Sequence, residues 1–189
     1  MTLVLASTSP QRRAILEQLG IAFEVVPPSY VEGDPPEEGA VQLVRRHAEG
    51  KARSVHVDGR LTLGVDTAVA LEGRVYGKPS GPKAAARMLG ELSGRTHAVV
   101  SGVCLLGGLH DVVEHELTGV TFRALGAGTI AAYVASGEWR DRAGGYAVQG
   151  LGARLVRGIE GDYLNVVGLP GALLVDLLER HAPKLLETA

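Results

Sequence analysis

Aromatic residues are scarce in this 189-residue chain: two Phe, one Trp and five Tyr. A core must therefore come mainly from Val, Leu, Ile and Ala, and the 46% apolar content supplies them. The single cysteine, Cys104, rules out an intramolecular disulfide; set in "VVSGVCLLG", it reads as a small core hydrophobe. No apolar run reaches the ~20 residues that span a bilayer, and the first residues lack a signal-peptide pattern. A cytoplasmic protein without membrane contact is expected. Neither sign of charge dominates: the net charge is −2, with both signs spread along the chain. That argues against a large nucleic-acid surface while leaving room for a local cationic pocket. No repeat or low-complexity linker divides the chain, so one domain over residues 1–189 is expected.

Glycine is abundant, with 26 residues, which implies tight turns or close backbone approaches. Residues 3–6 read as a buried strand. Ser9 is a good N-cap and Pro10 suits the first helical position, with the helix running to about Leu19. "IAFEVVP" reads as a second strand, "PSYVEGDPPEEG" as an acidic loop, and "AVQLVRRHAEGKARSV" as a helix with Val44, Ala48 and Ala52 on one side. Two strands flank a turn at Glu72-Gly73, and a helix follows Pro82. "HAVVSGVCLL" and "DVVEHELTGVTFRAL" pair through Gly107-Gly108. "GTIAAYVASG" is a short helix, "ARLVRGIEGDYLNVVGL" carries one or two strands, and "PGALLVDLLERHA" is a closing helix. Helices alternate with strands, but some strand pairs have hairpin-length links. The expected class is α/β, an elongated, mixed, twisted sheet flanked by helices.

Several residues break local rules. Arg12 and Arg13 occupy the first turn of a helix, where cations oppose the macrodipole by roughly 0.3–1 kcal/mol each. They are either solvated surface charge or, beside Ser7, Thr8 and Ser9, the donors of a phosphate site. Lys51 projects from nearly the same face as Val44; it either snorkels or aims at an anion. Asp66 ends the strand "LTLGVD", where α/β proteins place chemistry; it either caps a turn or pairs with a cation or metal. Lys78, between Gly77 and Pro79, is a loop lysine or a phosphate ligand, but "YGKPSGPK" is not a Walker A loop. The six histidines show no metal-binding spacing, and His97 reads as structural. The cations, Glu32, Asp66 and the glycine-rich loops together suggest a polyphosphate substrate, a divalent metal and water as nucleophile.

In order, "LASTSPQRRAIL", "GKA", "GVDTAV", "YGKP", "LSGRTHAVVSGV", "ASGEWRDRAGGYAVQGLGA" and "IEGDYLNVVGLP" resemble the Maf family of nucleoside triphosphate pyrophosphatases. The resemblance spans nearly the whole chain. It implies a cleft across the sheet that binds a nucleoside triphosphate, cleavage between the α and β phosphates, a divalent metal (Mg, Mn or Co) and a homodimer. Carried over position by position, it implies Asp66 as general base and metal contact. It places Ser7, Arg12, Glu32, Lys51 and Lys78 in the phosphate and metal pocket, with Glu32 as second metal contact. Arg12, Thr67 and Gln149 match positions tied to base choice, and Gln149 in "VQG" resembles the branch acting on dTTP and UTP. The other readings are a pyrophosphatase for 7-methyl-GTP or inosine-type nucleotides, and a non-catalytic nucleotide-binding regulator of cell division. Two departures stand out: Gln11 stands where many members carry Arg, and Arg142 replaces a common Lys.

Overall fold

The computed structural model describes residues 2–33 and 38–188; residues 34–37 of the expected acidic loop lie outside them. The elements run β1 (Leu3–Ala6), α1 (Pro10–Gln18), β2 (Phe23–Val25), α2 (Ala40–Arg53), β3 (Thr62–Leu71) and β4 (Arg74–Tyr76). They continue through α3 (Pro82–Leu92), β5 (Thr96–Leu106), β6 (Val112–Phe122), α4 (Ala127–Ser136), β7 (Val156–Glu160), α5 (Tyr163–Val167) and α6 (Gly171–His181). Among the described residues, seven strands form one sheet in the order β2-β1-β3-β5-β6-β7, with β4 added to β3. β1 pairs in parallel with β2 and β3; the other ladders are antiparallel. The expected mixed α/β sheet is therefore the one that forms.

The period of two along β3 divides its side chains between two faces. On one face, Leu61, Leu63 and Val65 join Val103 and Leu105 of β5 under α1 and α6. Farther along the same face, Val69 and Leu71 join Val99, Val120 and Phe122 under α3 and α4. Between these two cores stands a polar pair, Thr67 and Ser101, which are register partners with oxygens 2.9 Å apart. The interruption marks where the cleft opens.

The opposite face of β3 and β5 receives α2 through glycine. A Cβ at Gly64 would lie 2.1 Å from the Ala48 carbonyl oxygen, and one at Gly102 would lie 2.2 Å from that of Val44. Only residues without a side chain let the helix backbone come this close. Gly102 is the register partner of Asp66, so the approach brings α2 directly over the middle of β3, where the acid stands.

One expectation is corrected: Asp66 does not end its strand but sits in the middle of β3, which runs on to Leu71. Of the one or two strands expected in residues 153–169 one forms, β7, and Tyr163–Val167 forms α5. Asp162 accepts the Leu164 N–H at 2.7 Å, a capping bond that starts a helix despite Val166 and Val167. Buried Asn165 then anchors it, donating to the Val99 carbonyl and Thr118 Oγ1.

Candidate active site

The cleft has a volume of about 1110 Å³ and crosses the sheet where the two cores part, adjoined by a second hollow of about 560 Å³ beside α1. Its floor is built from β3. Asp66 faces α2, and the next residue, Thr67, faces α1 and α5, so consecutive side chains serve both walls.

On the α2 wall, His47 and Lys51 lie four residues apart and therefore on one helix face. Lys51 Nζ is 2.5 Å from Asp66 Oδ1 and 2.6 Å from Glu32 Oε1. His47 Nδ1 is 3.4 Å from Asp66 Oδ2, and its Nε2 is 3.4 Å from the Gly33 carbonyl. Burial pushes the Asp66 pKa up, but the His47 hydrogen bond, Lys51 and Arg12 outweigh it and hold the carboxyl below its ordinary value. The His47 pKa is raised, first by its hydrogen bond to Asp66, against the effect of burial. When protonated, His47 donates to oxygen on both sides, which orients the Asp66 carboxylate.

On the α1 wall, Arg12 spreads its fork over three partners. Nε donates to the Gly168 carbonyl at 2.9 Å, a group exposed where α5 stops. Its other two nitrogens donate to Ser7 Oγ at 3.2 Å and Thr67 Oγ1 at 3.3 Å. Burial lowers the Arg12 pKa, opposed by the charges of Asp66 and Glu32, but a guanidinium stays charged regardless. Arg13, the next residue, is exposed and does not line the cleft. Ser9 caps α1 as expected, accepting the Arg12 N–H at 3.5 Å.

Lys78 and Gln149 complete the expected set. Both are exposed and line the cleft. The Lys78 backbone is steadied by a bond from the Gly144 N–H to the Gly77 carbonyl at 3.1 Å. Ser7, Arg12, Glu32, Lys51, Asp66, Thr67, Lys78 and Gln149 thus all border the cleft or its adjoining hollow.

A family model described as Maf-like protein matches residues 2–181. The chain belongs to the Maf-like family. It is 51% identical over 178 residues to the dTTP/UTP pyrophosphatase of Gloeobacter violaceus, covering 93% of this chain and 94% of that one. It is 49% identical to the dTTP/UTP pyrophosphatase of Nitratidesulfovibrio vulgaris, covering 94% and 87%. The protein of that name from Moorella thermoacetica is also 49% identical, over 93% of each chain. A looser backbone likeness, TM-score 0.41 at 18% identity over 65% of this chain and 73% of the other, is to a HAM1 protein from Coxiella burnetii.

Two residues of this Maf-like site escape a reading of the sequence by spacing. His47 stands with Glu32 and Asp66, their potential ligand atoms all within 4.8 Å of one another. The available signal was its position one turn before Lys51, on the face that also carries Val44 and Ala48. Ser101 is buried in mid-strand and bonded to Thr67; a lone hydroxyl inside "AVVSGV" was its mark. His97 is structural, as expected, buried and 2.9 Å from Tyr146 Oη. Cys104 is buried, and burial pushes its thiol up to about 12, which keeps it inert. Among the described residues, no helix is long and apolar enough to cross a membrane.

Proposed function

We propose that this Maf-like protein hydrolyses dTTP and UTP to the nucleoside monophosphate and pyrophosphate. The observation that carries the reading is the Glu32–Lys51–Asp66 cluster facing the Arg12 fork across one cleft. A triphosphate brings several negative charges, and Arg12, Lys51 and Lys78 offset them during binding and as charge develops on the leaving pyrophosphate.

The donor chemistry fits a divalent cation. Glu32 and Asp66 offer hard oxygen ligands in close proximity, with His47 beside them. Glu32 and Asp66 would hold the ion. When bound it supplies neutralisation of phosphate oxygens and acidification of water. Asp66, ionised throughout the neutral range, accepts a hydrogen bond from the attacking water and aims it, with His47 fixing the carboxylate plane. Lys51 holds the two acids together and moves its charge toward the phosphates.

Gln149 presents an amide donor and acceptor, the combination that matches the Watson–Crick edge of thymine or uracil. A carboxylate there would offer only acceptors. The protein is further read as a cytoplasmic homodimer, which sedimentation at several concentrations checks.

The test is pyrophosphate release from dTTP, UTP, 7-methyl-GTP, ITP and CTP, each with Mg²⁺, Mn²⁺ or Co²⁺ and with chelator. Preference for dTTP and UTP, dependent on the cation, supports the proposal. Preference for 7-methyl-GTP or ITP would move the protein to another branch, and binding without turnover would make it a regulator.

A further inference from the structure

Glu138 has no part in the chemistry above, yet its carboxylate holds the segment that presents Gln149. One oxygen accepts the Leu151 N–H at 2.9 Å and the other accepts the Gly152 N–H at 3.0 Å. Both donors lie in the first turn of the 3-10 segment Gly150–Arg154, whose N-cap is Gln149. Donors at that position have no partner within the turn. The Gln149 side chain does not cap it. Glu138, just beyond α4, performs the capping from outside and leaves the Gln149 amide uncommitted.

The other side of the loop is tied independently. Tyr133 Oη accepts the Ala147 N–H at 3.0 Å. Gly152 closes the loop against that anchor: a Cβ there would lie 1.7 Å from the Ala147 carbonyl oxygen. Gly150, at φ +73°, packs against the carboxylate so closely that a Cβ would lie 2.6 Å from a Glu138 oxygen. Val148 is buried between the anchors, while Gln149 beside it is exposed to the cleft.

We propose that Glu138 is a positioning residue for base selection: it clamps the 150–152 turn so that Gln149 meets the base at a fixed place. The inference rests on the reading of Gln149 as the base contact. Both carboxylate oxygens are committed to backbone N–H groups, so Glu138 acts through the loop and not on the triphosphate. Its loss therefore affects recognition of the base and leaves the grip on phosphates intact. Gln at this position keeps one acceptor oxygen and so half of the clamp.

The experiment compares Glu138→Gln, Glu138→Ala, Gln149→Ala and the double variant Glu138→Ala/Gln149→Ala. Three quantities are read: KM and kcat for UTP, the preference for UTP over CTP, and inhibition by inorganic tripolyphosphate, which has no base. Glu138→Ala is expected to raise the KM for UTP and lower the preference about tenfold, the usual scale for loss of a ligand-orienting partner. kcat changes less than twofold and tripolyphosphate inhibition is unchanged. Glu138→Gln falls between wild type and Glu138→Ala, and the double variant is no worse than Gln149→Ala, because the two act in one chain of contacts. If Glu138→Ala fails to fold, Glu138→Gln carries the comparison. An unaltered preference in the Glu138 variants overturns the inference while Gln149→Ala still tests the base contact by itself. If Gln149→Ala leaves the preference unaltered, the base contact fails, and the inference with it. Equal losses on UTP and tripolyphosphate would show a general loosening of the fold and overturn the inference as well.

Discussion

The Lys51 ammonium lies 2.5 Å from Asp66 Oδ1, joining the last turn of α2 to the middle of β3 across two elements brought close at Gly64. Both side chains are largely enclosed, 12% and 13% exposed. The pair is an enclosed charge set lining the cleft, and its two members have different consequences when removed.

Asp66→Asn is expected to remove pyrophosphate release by about 10²–10⁴-fold, the range for loss of a positioned acid–base group. Its fold survives, because Lys51 keeps Glu32 as partner. Lys51→Ala removes a cation from a largely enclosed carboxylate that keeps His47 and Arg12 nearby, so it destabilises by less than the roughly 3–5 kcal/mol of breaking an isolated buried pair. Pyrophosphate assays and thermal melts together check the contrast: Asp66→Asn is inactive and stable, Lys51→Ala inactive and less stable. Near-normal turnover in Asp66→Asn would sink its assigned role.

Arg12 and Arg13 separate the same way. Arg12→Lys keeps the charge but cannot reach the Gly168 carbonyl, Ser7 and Thr67 with one planar fork. A KM increase of at least tenfold is expected, on the order of one lost charge-assisted hydrogen bond. Arg13→Ala leaves KM within twofold. Steady-state kinetics on UTP decide the point, and equal effects would return both arginines to one role.

Gly102→Ala pushes a methyl group into the Val44 carbonyl. Helix α2 must lift from the sheet, which carries His47 and Lys51 away from Asp66. Overpacking of this kind costs typically 1–3 kcal/mol, and here activity falls too. Gly158→Ala, where a Cβ would meet nothing within 4 Å, is the matched control. Denaturant midpoints and turnover are measured on both; an active Gly102→Ala would refute the seam argument.

His97 makes stability depend on pH. Burial lowers its pKa from 6.5 to about 4, so the unfolded chain takes up a proton first as the pH falls. Stability from this group is complete above pH 6.5, declines as the pH drops from 6.5 toward 4, and levels off below. The full loss is about 3 kcal/mol. His97→Gln should flatten that part of the unfolding profile, measured as the urea midpoint against pH. An unchanged slope between pH 6.5 and 4 would show that another group is responsible.

The elements were readable locally wherever one principle acted alone. Ser9-Pro10 marks the start of α1, and Glu72-Gly73, both with positive φ, makes the turn between β3 and β4. Reading left a second strand open at residues 162–167, where the capping bond accepted by Asp162 starts α5 despite the strand preference of the valines. It also missed His47, because its importance comes from Asp66 on another element.

The chemical inventory was thus determined by the sequence: Asp66 in a strand, Lys51 and Arg12 on helices, Lys78 and Gln149 in glycine-bounded loops, and the order of motifs that places the chain near the Maf family. The tertiary structure alone decided which of these groups meet. Ion pairs depend on distances of a few ångströms between residues far apart in the chain, and those distances are set by packing. The glycine seam under α2, the polar break at Thr67–Ser101 and the Glu138 clamp on the Gln149 loop all arise from that packing.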